Sequence, residues 1–254
     1  MKRRVSRLVW WMVLGLILVA TWGAHFLGFT PAICKSLLAT IWPEMVKYSR
    51  PAWQSPGRLA AMTLETLAMA AVGTLIAISL AVPATLFAAK NLAPNRLSYI
   101  VVRQAMNFMR SMPDALIALL LVQCLGLGPL PGALALGLHS GGFVGKSLSE
   151  RIERLDARIG EGLVSCGASW FQTIRFGIWP SIDREIVSDA LYVFDRNLRV
   201  AATLGLVGAG GIGVDLVTAL RTFHADEAAT IIVVIIVLIL LVDTVSSHLR
   251  RRMA

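Results

Sequence analysis

Charged side chains are scarce in this sequence. They make up 15% of its 254 residues, where an ordinary soluble domain carries about a quarter, so a soluble globular class is excluded at the outset. Cysteine is nearly absent as well. Cys34, Cys124 and Cys166 lie far apart and offer neither a disulfide framework nor a metal-ligand spacing, which leaves no metal site to assign. Short alternating apolar segments are missing, and without them a transmembrane β-barrel gives way to helices. Acidic residues are outnumbered, 15 against 24 basic, for a net charge of +9. In a soluble protein that excess would point to nucleic acid. Here the basic residues flank apolar runs, so they report membrane topology and no nucleic-acid partner is expected.

What is present is hydrophobic length. Apolar residues form 56% of the chain, and several runs approach or exceed the roughly 20 residues needed to cross a hydrocarbon layer about 30 Å thick. Residues 8–29 follow Lys2, Arg3, Arg4 and Arg7; the run is too long for a signal-peptide core and is expected to be an uncleaved first span. Residues 30–58 read as an extracytoplasmic or interfacial loop with a short helix at 32–42. Further spans are expected at 63–89, 99–125 (interrupted by Arg110, Pro113 and Asp114), 133–148, 186–207 and 228–245. Six spans put both termini on one side. With that side cytoplasmic, sixteen of the 24 basic residues fall in inner segments and five, Lys35, Lys47, Arg50, Arg58 and Arg221, in outer ones. The asymmetry predicts cytoplasmic termini and a cytoplasmic polar stretch at 161–180.

Two nucleotide motifs are spelled only in part. Gly208, Gly210 and Gly213 form GxGxxG, yet the apolar residues before them continue a span and no strand–helix alternation accompanies them. These glycines, with Gly211, are better suited to tight helix packing or to a break that exposes backbone to a translocation path. SGGFVGKS at 140–147 has Ser140 where a P-loop needs glycine, and it follows a span rather than a strand. The chain is therefore expected to hydrolyse no ATP and to hold no catalytic residue.

The stretch 161–180, EGLVSCGASWFQTIRFGIWP, can form a short helix, a turn at Gly167 and a second helix whose Trp170, Phe171, Ile174 and Ile178 offer an apolar face. Pro180 suits the first turn of the span that follows. Glu161, Gly167 and Pro180 occupy the positions of EAA, three residues, Gly, nine residues, I-x-L-P. That spacing resembles the motif of the inner-membrane permeases of binding-protein-dependent ABC importers. Gly162 and Leu163 replace its two alanines, Gly177 its isoleucine and Trp179 its leucine. The resemblance runs from about residue 62 to 251 through RSMPDALIALLLVQCLGLGPLPGALALGLHS and LYVFDRNLRVAATLGLVGAGGIG, and it is to the phosphonate-type branch.

The resemblance implies an all-α membrane protein with the type I importer permease fold and six transmembrane helices per protomer. Residues 1–61 would supply the first span and an extracytoplasmic loop, and 62–254 a five-helix core. The coupling element would be Glu161, Gly167, Ala168, Trp170, Phe171 and Pro180, docking on a separate ATPase that holds ATP and Mg. Further partners implied are a second copy of the chain, a periplasmic or lipid-anchored binding protein and membrane lipid, in the bacterial inner membrane; the cargo would be a phosphonate or a related phosphorus oxyanion. Rival cargoes are phosphate and methionine, and the rival from another class is a membrane-bound nicotinamide oxidoreductase.

Ionisable residues inside spans need a reason, since each costs roughly 2.5 to 3.5 kcal/mol at a helix centre on insertion scales. Arg110 and Asp114 are spaced i, i+4, as are Asp195 and Arg199, so ion pairs that hold the bundle together are one expectation. The other is a pathway in which Arg110 and Arg199, with Asp114, His139, Tyr192, Asp195 and Asn197, ease an anion across. A planar guanidinium suits tetrahedral oxyanions because it donates two parallel hydrogen bonds. Arg196 is less typical of the family and carries less weight.

Overall fold

The computed structural model describes residues 2–26, 28, 31–49, 51–53 and 56–253. Side chains of residues 2–8, 31, 32, 34, 35, 37, 38 and 253 are outside that description. Cys34 and the charge-counted Lys2, Arg3, Arg4, Arg7 and Lys35 fall there, and Arg50 lies outside the described residues altogether. Among the described residues all regular structure is helical, and the chain divides into two compact units, residues 1–50 and 51–254.

The first unit holds α1 (Lys2–Phe26) and α2 (Pro31–Lys47). In α1, Val9–Phe26 is an apolar run long enough to cross a membrane. The second helix is longer than the expected 32–42.

In the second unit, α3 (Pro56–Ala88) runs about 50 Å at 1.5 Å per residue. It packs on α6 (Pro129–Glu153) through small residues. A Cβ on Gly137 would meet Ile76 Cγ2 at 2.5 Å, and one on Gly141 would meet the Ala77 carbonyl at 3.4 Å. Gly137, Gly141 and Gly145 recur every fourth residue, which lets the two backbones approach as they do in lipid-embedded bundles. α6 is enclosed by α3, α4 (Arg96–Ser111), α5 (Asp114–Leu125) and α9 (Trp179–Leu204).

The expected span at 99–125 is not straight. Pro113 disfavours α geometry at Met112, whose ψ is 131°, and α4 and α5 meet at 91°. A second bent pair, 43°, joins α9 to α10 (Ile212–Arg221) across the glycine run. Three helices, α1, α3 and α11 (Ala225–Met253), are long and apolar enough to span, or up to five spans if each bent pair counts as one. Of the six expected, α6 is the one that falls short on composition, because neighbouring helices rather than lipid surround most of it.

Candidate functional site

The two ends of α3 locate two different regions. Its last turns meet the stretch 161–180: Ala89, Leu92, Ile152, Ile174, Ile178 and Ile182 form one buried cluster. At its first turn, Arg58 pairs with Asp215 of α10 at 2.9 Å.

In the stretch itself, Asp156 caps α7 (Ala157–Ser165) by accepting from the Arg158 N–H. The helix ends where the Ala168 N–H donates to the Leu163 carbonyl and the Gly167 N–H to the Val164 carbonyl. That double bond pattern requires a left-handed residue, and Gly167 supplies it with φ +81°. Ser169 and Gln172 cap α8 (Trp170–Thr173) reciprocally. A π-helical turn, Ile174–Ile178, then leads into α9 with Pro180 in its first turn.

The apolar face expected of this element is divided. Ile174 and Ile178 turn into the core, 5% and 6% exposed, while Phe171 is 64% exposed. Phe171 lies before the π turn and faces outward, whereas Ile174 and Ile178, at the two ends of that turn, share the buried face. Trp170 takes an intermediate part: its indole N–H donates to the Leu92 carbonyl at 3.1 Å, tying α8 to the α3–α4 turn. Gly177 has a packing reason, because a Cβ there would stand 2.7 Å from Leu163 Cδ1 of α7. Glu161 is exposed on the rim of a cavity of about 680 Å³ shared with Asp156 and Glu153. Glu153 accepts from Arg103 at 2.7 Å and from the Lys90 N–H at 2.9 Å. The element is therefore tied to the α3–α4 turn by the Trp170 hydrogen bond and to the core by Ile174 and Ile178, while Glu153 joins α6 to α4 and to the same turn beside it.

Midway along α6 lies a polar cluster. Arg196 of α9 reaches Asp114 at 3.1 Å, His139 Nε2 at 2.8 Å and the Ser140 hydroxyl at 3.4 Å. His139 Nδ1 is 2.9 Å from the Met112 carbonyl and 3.0 Å from Asp114 Oδ1. Both acceptors lie within reach of an Nδ1 proton. A guanidinium only donates, so the hydrogen-bond network places Nε2 as the acceptor from Arg196 and Nδ1 as the donor. Below it, Ser140 donates to Asn197, and Asn197 to Thr74. Asp195 holds both terminal nitrogens of Arg199, at 3.0 and 2.7 Å. The Arg110–Asp114 pair does not form: the break at Pro113 carries Asp114 to Arg196, and Arg110 is exposed with no ion pair among the described residues. Tyr192 is exposed, its ring 6.1 Å from Phe143.

The glycine run closes the bundle. Gly205 and Gly213 lie backbone against backbone, so that a Cβ on either would overlap the other's chain. Gly208, Gly210 and Gly211 all have positive φ. Glu65 of α3 accepts from the Gly211 N–H and Thr66 from the Ile212 N–H, at 3.0 and 2.8 Å. Two of the donors at the start of α10 that a dinucleotide pyrophosphate would use are held by α3, so this geometry gives the oxidoreductase rival no support.

The family of binding-protein-dependent transport system inner membrane components matches residues 81–254. The chain belongs to this family. The permease is 34% identical to the phosphite transport system permease protein PtxC of Stutzerimonas stutzeri, over 95% of this chain and 90% of that one. It is 37% identical to the phosphate-import permease protein PhnE of Mycolicibacterium smegmatis, over 79% of this chain and 38% of that one. Among solved structures, a MetNI methionine ABC transporter in an inward-facing conformation matches with TM-score 0.71 at 19% identity, over 80% of this permease and 99% of that chain. The fold is that of a type I ABC importer permease, an all-α multi-pass membrane protein.

Four residues of the permease's polar contacts escape sequence reasoning. Arg196 is the hub of the polar cluster although it carried less weight as a residue less typical of the family. Glu65 is an ionisable residue inside the second span, and that alone was a signal. Glu153 and Arg103 are separated by 50 residues, and only the fold brings them together.

Proposed function

We propose that this permease is the transmembrane subunit of an ATP-driven importer for a phosphonate or a related phosphorus oxyanion. The observation that carries the reading is the likeness to PtxC across nearly the whole of both chains. Three arginines at mid-bundle depth, Arg110, Arg196 and Arg199, suit such a cargo. Two copies would enclose the pathway, lined by Arg110, Asp114, His139, Tyr192, Asp195, Asn197 and Arg199, with the glycine run at 208–213 as the break that lets α10 move. Both termini are cytoplasmic in this proposal, and residues 1–61 form a first span and outer loop attached to a five-helix core at 62–254. The element at 161–180 docks on the ATPase through Glu161, Ala168, Trp170 and Phe171. ATP and Mg belong to that partner, this chain holds no cofactor, and a binding protein delivers the cargo from the extracytoplasmic side.

The test is competition for uptake in proteoliposomes that hold this chain, its ATPase and its binding protein. Labelled phosphonate uptake is expected to be displaced by phosphite or phosphate and not by methionine; displacement by methionine alone would overturn the cargo assignment.

A further inference from the structure

At the end of the bundle opposite the coupling element, α10 turns into α11 through Thr222, Phe223 and His224. The His224 N–H donates to the Ala219 carbonyl at 2.9 Å and the Phe223 N–H to the Leu220 carbonyl at 3.3 Å. This is the same helix-ending pattern that closes α7, where the left-handed position is Gly167. Here it is Phe223, with φ +57°, the only non-glycine residue of positive φ among the described residues. A β-carbon is disfavoured in that conformation and glycine is the ordinary occupant. Nothing inside the chain compensates, since Phe223 is 93% exposed, more than any other large apolar side chain described. A bulky aromatic held at positive φ and exposed to this degree suits a contact with another molecule.

The surroundings indicate which molecule. Beside the turn is a cavity of about 160 Å³ lined by Arg58, Asp215, Thr218, Thr222 and Glu227. Arg221 and His224 flank Phe223 and are exposed. One aromatic anchor within a charged and hydroxyl-bearing rim is the anatomy of a protein interface. Arg58 is paired with Asp215, and Arg221 is offset by the charges of Asp226 and Glu227, so the turn carries no net positive charge to draw an anionic headgroup surface. Since α3 runs from Arg58 at this end to the coupling element at the other, the turn lies on the extracytoplasmic side if the coupling element is cytoplasmic.

We infer that the Phe223 turn is a docking anchor for the cargo-loaded binding protein, with Phe223 entering an apolar recess on that partner and the Arg58–Asp215 pair and Glu227 forming the polar rim. The inference rests on the proposed importer function.

Glycine at this position keeps the turn, so F223G separates docking from folding. The whole complex, in nanodiscs with its ATPase, is titrated with the cognate binding protein loaded with its oxyanion. For F223G the unfolding midpoint and basal ATPase rate are expected to match or exceed wild type, while the apparent Kd for the binding protein rises on the order of tenfold or more and stimulated ATPase falls with it. F223W is expected to retain most of the stimulation. Wild-type docking by F223G overturns the inference, as does unchanged docking with altered lipid contact of the turn, which would make Phe223 a membrane anchor. A wild-type complex that no oxyanion-loaded binding protein stimulates refutes the importer function and the docking site together; a stimulated wild type with an indistinguishable F223G refutes the docking site alone.

Discussion

Replacing Arg196 by methionine probes the cluster that ties α5, α6 and α9 together. The guanidinium stands 3.1 Å from Asp114 and 2.8 Å from His139, and the side chains are 26%, 17% and 12% exposed respectively. Breaking a buried pair by removing one partner costs about 3–5 kcal/mol, because the other charge is stranded. Partial exposure of both groups lowers that to about 2–3 kcal/mol. Without Arg196, Asp114 is left with His139 Nδ1, 3.0 Å from its Oδ1, as its close polar neighbour. Adding Asp114→Leu removes the stranded carboxylate, and the double variant is expected to return to within about 1 kcal/mol of wild type. The assay is reversible unfolding of the purified permease in mixed micelles, followed by tryptophan fluorescence through a full double-mutant cycle. Additive losses, with the double variant as weak as the sum of the single ones, would refute the coupling and with it the description of the cluster as one unit.

Two further substitutions test other parts. Glu161→Lys reverses charge at an exposed position whose side chain makes no hydrogen bond or ion pair among the described residues, so membrane insertion and permease stability should be unchanged while ATPase stimulation and uptake are lost; normal transport would contradict the docking role. Gly213→Ala places a methyl group onto the Ala202 carbonyl oxygen and close to Gly205. Overpacking of this kind costs about 1–3 kcal/mol or more where backbone must move, and a lowered unfolding midpoint is expected; an unchanged midpoint would show that the glycine run is looser than described.

Much of the bundle was legible because membrane spans announce themselves by length, and α1, α3 and α11 do so. Gly167 was legible too, since a polar stretch that must reverse direction needs one residue of positive φ and glycine is the residue for it. The failures have local causes. The pairing of Arg110 with Asp114 assumed an unbroken helix, and Pro113 ends that helix between them. The apolar face of Trp170, Phe171, Ile174 and Ile178 assumed one continuous 3.6-residue helix, but a four-residue α8 followed by a π turn takes its place, and of the four only Ile174 and Ile178 enter the core. Arg196 could not be ranked from sequence, because its partners Asp114 and His139 are 82 and 57 positions away. Phe223 gave no signal at all: only the hydrogen-bond pattern of the turn reveals that a phenylalanine stands where glycine would be more stable.

The most direct test is uptake of a labelled phosphorus oxyanion into proteoliposomes containing this chain, its ATPase and its binding protein, with and without ATP. Accumulation against a gradient is expected only when all three proteins and ATP are present. Passage through this chain without ATP, or no passage of any phosphorus oxyanion by the complete system, would contradict it.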